Sequence, residues 1–255
     1  MLKKIKNPLL FTAATIPIAF LGGLFAVMST FPTYELTMQQ EMLASAGSYG
    51  TLLFLGALQA VPITVICGFL GYIFADKIGL MRPFRFQKES LLRAAVPIVI
   101  CGVLFSLDYW VFGSILPQIA EIYESQHLTT APSFLAGILY GGVVEEVLMR
   151  LFLMSLFVFT LWKVFARKCD VEQIPQSIFI AANILAAALF AAGHLPANAG
   201  IFGTLTPTVI FRCFLLNGGP GVLFGWLYYK HGIQYAMLAH AGTHIISKII
   251  WLVFV

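Results

Sequence analysis

The chain has 255 residues, of which 60% are hydrophobic and only 10% are Asp, Glu, Lys or Arg. A soluble domain carries roughly 25% charged residues, so a soluble fold of this length would be left with an apolar, aggregation-prone surface, and the same composition excludes disorder and a collagen-like fibre. The net charge of +4 is too weak to point to nucleic acid, and the reading that remains is an all-α, polytopic membrane helix bundle, a single transmembrane domain over 1–255.

A hydrocarbon core about 30 Å thick takes about 20 apolar residues in a helix. On that measure spans fall at 8–28, 49–75, 94–116, 132–162, 176–194, 207–229 and 233–254. That is about seven helices, with six to eight as the range set by uncertain boundaries. The first follows Lys3, Lys4 and Lys6. It is too long for a signal-peptide core and lacks a small-x-small cleavage site, so it reads as a retained anchor.

The loops test these spans. Lys and Arg of loops and flanks stand at 3, 4 and 6, then 77, 82, 85, 88 and 93, then 163, 167 and 168, then 230; the loops 29–48, 117–131 and 195–206 hold none and carry Glu35, Glu41, Glu121 and Glu124 instead. Basic residues on alternate sides follow the positive-inside pattern and place the N-terminus in the cytoplasm. The short basic N-terminus and small size suggest a bacterial cytoplasmic membrane. Segment 82–93, with Arg82, Arg85, Lys88 and Arg93 among Phe84, Phe86, Leu91 and Leu92, reads as an interfacial amphipathic helix. Asn217-Gly218-Gly219-Pro220-Gly221 lies inside the sixth span and should kink or break it. Cys67, Cys101, Cys169 and Cys213 are far apart without metal spacing and read as unpaired thiols. No internal repeat is visible, so an inverted-repeat transporter is not suggested.

Three charges sit together in the fourth span: Glu145, Glu146 and Arg150. Each costs at least ~2.5–3.5 kcal/mol to insert, so they must pair or face a wet cavity. Glu146 and Arg150 are i,i+4 with the acid first, the favourable order for an ion pair. Glu145 is turned ~100° away and has no partner on its own helix. His194 closes the fifth span, and His240 and His244 share one face of the seventh with small residues between them. A packing network joining helices is the bland reading of these groups. Two histidines on one stripe, a third elsewhere and an unpartnered glutamate favour a functional site. His127 and His231 sit in loops and are assigned nothing.

The motifs Glu145-Glu146-x-x-x-Arg150, Phe190-x-x-x-His194 and His240-x-x-x-His244, with Leu223-Phe224-Gly225-Trp226-Leu227-Tyr228 and Lys230-His231-Gly232 before the last, resemble the CPBP family. That family comprises the type II CAAX prenyl endopeptidases and the bacteriocin-processing and immunity (Abi) proteins. The resemblance covers about 132–250, the expected catalytic core, while 1–131 is expected to add only hydrophobic helices. His244 departs from the pattern, which has Asn or Asp there.

The resemblance implies an intramembrane endopeptidase acting on a membrane-associated, prenylated or leader-bearing peptide or protein in the bilayer. Glu145 would be the base that activates water, with His194 sharing or orienting that water. His240 and His244 would polarise the scissile carbonyl, and Glu146, Arg150 and Phe190 would support them. No cofactor is certain. A metal version would use Glu145, His194, His240 and His244 as ligands to a divalent ion such as zinc. A proton-coupled transporter and a non-catalytic immunity or scaffold protein are the alternatives. Depth raises a conflict. With spans centred in the bilayer, His194 lies about 13 Å to one side of the midplane and His240 about 5 Å to the other, about 18 Å apart. Either the sequence spans seven times and the helices depart from these boundaries, or a re-entrant hairpin at Asn217–Gly221 reverses the last helix.

Overall fold

The computed structural model describes residues 2–255, with side chains from Asn7 onward. Seven helices are long and apolar enough to cross a membrane: α1 (Asn7–Thr33), α2 (Tyr49–Lys77), α3 (Lys88–Phe112), α4 (Ala131–Phe165), α5 (Gln176–Phe202), α6 (Pro207–His231) and α7 (Ile233–Phe254). No strand occurs among the described residues. The chain is an integral membrane protein. Its connections collect unlike charge at the two ends of the bundle. The loops bearing Lys77, Arg82, Lys163 and Lys230 lie at one end, and those bearing Glu35, Glu41, Glu121 and Glu124 at the other. We refer to these as the basic and acidic ends.

Leu, Ile and Phe side chains remain exposed along the outer faces of α2, α3 and α5, Ile66, Val99 and Ile184 among them, as a lipid-facing surface requires. The inner faces are built from small residues. Lipid tails are as apolar as leucine, so helices in a bilayer gain from close backbone approach rather than from hydrophobic transfer. At the α1–α2 crossing a Cβ on Gly23 would lie 2.7 Å from the carbonyl oxygen of Gly56. Central in the bundle is α4, which touches α1, α2, α5 and α7. Its Val144, Val147, Leu151 and Met154 are fully buried. The helix that carries the three charges is therefore packed among four neighbours.

Regular α-helix gives way to π-helical geometry along α4 at Ala136–Glu145 and Val147–Met154, and along α6 at Phe214–Gly218. Such segments widen the turn, re-aim side chains and concentrate at functional sites. In α6 this replaces the expected break. The helix runs through Asn217–Gly221 without reversing, so the re-entrant hairpin is not adopted and α7 crosses as a seventh span. The wide turn absorbs the Gly-Pro run. Asn217 Nδ2 donates to the Cys213 carbonyl at 2.8 Å, and Pro220 falls in the first turn of the helix that restarts at Gly219, where its missing N–H is not needed.

Two boundaries differ from expectation. The fifth span does not end at His194. The chain turns there and restarts as Leu195–Phe202, with Pro196 in its first turn. The basic segment 82–93 is not a separate amphipathic helix: residues 82–87 are non-helical and α3 begins at Lys88. Pro83 biases its predecessor away from helix. The strap is pinned by α7, where Gln234 Nε2 and Tyr235 Oη both donate to the Arg85 carbonyl at 3.1 Å. Phe84 and Phe86 stay exposed. The four cysteines are unpaired, and only Cys169 is more than slightly accessible.

Candidate active site

The interhelical cavity, about 290 Å³, lies between α4, α5, α6 and α7, with walls from α1 and α3. Glu145, His194, His240 and His244 all line it. Glu145 stands between two imidazoles from different helices. His194 Nε2 approaches its Oε1 at 3.8 Å, and His240 Nε2 approaches its Oε2 at 3.7 Å. The observed helix bounds remove much of the depth conflict. With α5 running to Phe202, His194 lies about 8 Å rather than 13 Å from mid-span at 1.5 Å per residue. Glu145 lies between the two rings in depth, and its reach and theirs span the remainder.

Each ring is oriented through its other nitrogen. His240 Nδ1 donates to Glu146 Oε1 at 2.8 Å, and His194 Nδ1 to the Phe190 carbonyl at 2.8 Å. A carboxylate and a carbonyl only accept, so Nδ1 carries the proton in both rings and Nε2 faces Glu145. The i−4 carbonyl of Phe190 is reachable because α5 turns at His194, where Asn198 Nδ2 donates back to the His194 carbonyl at 2.8 Å. His240 is further clamped by stacking on Phe224, centroids 4.9 Å apart.

Glu146 is fully buried, and Arg150 nearly so. Arg150 Nε lies 3.3 Å from Glu146 Oε2. The pair is held by charge more than by alignment, since Glu146 Oε2 and Arg150 Nη1 have no hydrogen-bond partner among the described residues. Arg150 Nη2 donates to the Gly221 carbonyl at 3.0 Å, tying α4 to the wide turn of α6. Its guanidinium lies 5.0 Å from the Phe190 ring centroid and 5.8 Å from that of Phe224, close enough for cation–π attraction. The two adjacent glutamates therefore differ sharply. Glu145 faces the cavity and is 18% exposed; Glu146 is sealed between an arginine and a histidine.

His244 stacks on His240, with centroids 5.2 Å apart, and meets the edge of Phe105. No hydrogen bond to its ring is formed among the described residues. Gly141 makes room for both rings. A Cβ there would come within 2.9 Å of His244 Nε2 and 3.3 Å of His240 Nε2. Among the described residues no three His, Cys, Asp or Glu side chains converge to hold a metal. Ligands on one tetrahedral zinc, with arms of 2.0–2.2 Å, sit roughly 3.4 Å apart. Here the two Nε2 atoms approach opposite oxygens of Glu145 at 3.8 and 3.7 Å, and His244 is stacked on His240.

The walls include residues that the motifs did not indicate. Arg212, on α6, is paired with Asp108 of α3, both Nε and Nη2 donating to its carboxylate. Tyr123 Oη adds a third donor to Asp108 at 2.8 Å. Burial among these groups raises the Tyr123 phenol well above its ordinary range, with the neighbouring Asp108 charge adding to the effect. Arg212 Nη1 also donates to Asn198 Oδ1 at 3.2 Å. A chain of contacts thus leads from Asp108 through Arg212 and Asn198 to the turn bearing His194. The expectation that residues 1–131 add only hydrophobic helices is wrong on this point, because Asp108 is a fully buried charge whose partner lines the cavity. Its signal in the sequence was one acid in the third span and one unassigned arginine in the sixth, each needing the other.

A membrane bundle with a carboxylate between two imidazoles, facing an interhelical cavity, defines an integral membrane protein with a buried Glu–His site. Residues 127–246 match the family model described as type II CAAX prenyl endopeptidase Rce1-like, 120 of the 255 residues. Over that segment the chain is similar to the CAAX endopeptidase (CPBP) family, which supports a CAAX-type membrane endopeptidase in general. No curated protein and no solved structure matches the chain.

Proposed function

We propose that the protein is a glutamate-dependent intramembrane endopeptidase that cleaves a prenylated, membrane-associated peptide or protein. The observation that carries this reading is the Glu145 carboxylate flanked at 3.7 and 3.8 Å by Nε2 of His240 and His194 inside a mostly apolar cavity. In the proposed reaction these three groups hold one water molecule in the cavity.

Water bound between Glu145 and His194 gives a proton to Glu145 as its oxygen attacks the scissile carbonyl carbon. His194 Nε2 accepts the second hydrogen of that water and aims its lone pair. Charge then develops on the carbonyl oxygen, and donors waiting there lower the barrier most when they are fixed in advance. His244 donates one N–H. For His240 to donate from Nε2 its ring must carry both protons, and Glu146 on Nδ1 with Glu145 beside Nε2 supplies the countercharge for that form. Two carboxylates, Arg150 and an imidazolium His240 then sum to zero within the low-dielectric bundle. Collapse of the tetrahedral species breaks the C–N bond, and Glu145 returns its proton to the leaving amine. Glu146, Arg150 and Phe190 act through the rings they orient.

By the positive-inside pattern the basic end is cytoplasmic. The accessible thiol, Cys169, lies in a loop at that end. A membrane-impermeant maleimide should label it in inverted vesicles and not in intact cells; labelling only in intact cells reverses the orientation. The activity is tested in proteoliposomes with a fluorescent peptide bearing an S-farnesyl cysteine and a three-residue tail. Mass spectrometry should find one new carboxyl terminus, insensitive to EDTA and absent with Glu145→Gln. Cleavage that EDTA abolishes and zinc restores would overturn the metal-free reading, and full activity of Glu145→Gln would overturn the site.

A further inference from the structure

Lys248 is a buried ammonium within a membrane helix, 5% exposed, and it lines the cavity. Its Nζ donates to Ser133 Oγ at 2.6 Å and to the Leu128 carbonyl at 3.2 Å, both at the start of α4. These partners are neutral, and among the described residues no carboxylate lies within ion-pair distance of it. The other buried cations are treated differently: Arg150 has Glu146 and Arg212 has Asp108. An ammonium has three donors, so one N–H of Lys248 is uncommitted. A buried charge left without a countercharge costs several kcal/mol, and a packing role would be served as well by methionine. The arrangement makes sense when an anion enters the cavity.

Position indicates which anion. Lys248 lies on the same stripe of α7 as His240 and His244, eight residues beyond His240 toward the acidic end. Eight residues of helix rise about 12 Å. An extended peptide advances about 3.3 Å per residue, so roughly three to four residues beyond a bond held at His240 cover that rise. The cavity wall also includes the rings of Phe105, Tyr123 and Trp251. Lys248 also stands outside residues 127–246, the segment that matches the family.

We infer that Lys248 is the receptor for the substrate's C-terminal α-carboxylate. This rests on the endopeptidase reading for its consequence, but binding can be tested without cleavage. In phosphatidylcholine proteoliposomes, the farnesylated peptide is compared as free acid and as C-terminal amide. Binding is measured on the Glu145→Gln protein with and without Lys248→Met, and cleavage on the proteins with Glu145 intact. A charge-assisted hydrogen bond implies that the acid binds and is cleaved about tenfold to a hundredfold better than the amide. Lys248→Met should bring the two to equal values, while Lys248→Arg retains a preference for the acid. Equal binding of acid and amide by the Lys248 protein, or a preference that survives Lys248→Met, would overturn the inference. Preserved, Lys248-dependent binding of the acid without any cleavage would instead overturn the endopeptidase reading and leave the receptor standing.

Discussion

Between residues 127 and 246 lie Glu145, His194, His240 and His244, every side chain proposed to act on the scissile bond; residues 7–126 contain no histidine, yet Phe105 and Tyr123 wall the cavity and Asp108 anchors Arg212. The two regions are organised on different scales. In the first, the relations within each motif are short: Glu146 to Arg150, Phe190 to His194 and His240 to His244 are all i,i+4, and the motifs then meet at Glu145 across helices. In the second they are long: Asp108 meets Arg212 across 104 positions, and Trp251 Nε1 donates to the Ser106 carbonyl across 145, at 3.0 Å. A reaction can be written in helical spacings, whereas the cavity that gives it a substrate is completed by contacts between distant helices.

This contrast can be broken experimentally. The largest stability effect outside the matched segment is expected at Asp108. Asp108→Asn strips the countercharge from a buried arginine, which typically costs 3–5 kcal/mol. The unfolding midpoint in detergent should fall accordingly, and the loosened Arg212–Asn198 contact should lower cleavage about tenfold. Replacing both partners, Asp108→Asn with Arg212→Met, should recover most of the stability. If Asp108→Asn changes neither quantity, the flanking helices are mere walls.

Within the matched segment, Gly141→Ala sharpens the same comparison. Its Cβ would press on His244 and His240, and a shift of a few tenths of an ångström in positioned groups should lower cleavage about tenfold to a hundredfold. The overpacking should cost about 1–3 kcal/mol. Rate loss well beyond the stability loss is the expected signature, measured by comparing kcat with the unfolding midpoint. The smallest effect belongs to the basic end. Gln234→Met removes two hydrogen bonds to the strap at Pro83 and Arg85, but also a carbonyl oxygen that is buried and unpartnered. The change should stay within about 1 kcal/mol and leave the cleavage rate unaltered.

Much of this fold was legible in hydropathy alone, because a bilayer imposes length and polarity so strictly. The seven spans emerge within several residues of their bounds. The errors fall where apolar sequence continues through a change of backbone. The apolar run reads as ending at His194, yet Pro196 opens a new turn, so α5 extends to Phe202. The Gly-Pro run of α6 reads as a break, yet a wide turn carries the helix through it. In the candidate site, the separation of Glu145 from Glu146 follows from helical angle. The nearness of His194 and His240 to Glu145 did not follow, because it depends on where α5 ends and on side-chain reach between helices. Lys248 and Arg212 were visible as intramembrane cations without assignable partners. Only the three-dimensional arrangement shows that Arg212 has one and that Lys248, among the described residues, has none.

The central claim is that adjacent glutamates hold different offices, Glu145 chemical and Glu146 structural. Glu145→Gln and Glu146→Gln should therefore be measured together, in one proteoliposome preparation, for cleavage of the farnesylated peptide and for unfolding midpoint. Glu145→Gln should lose about three orders of magnitude in kcat, within the range for a general base, with its midpoint unchanged. Glu146→Gln should lower the midpoint by leaving Arg150 without its countercharge. Near-normal cleavage by Glu145→Gln, with the protein folded, would contradict the account.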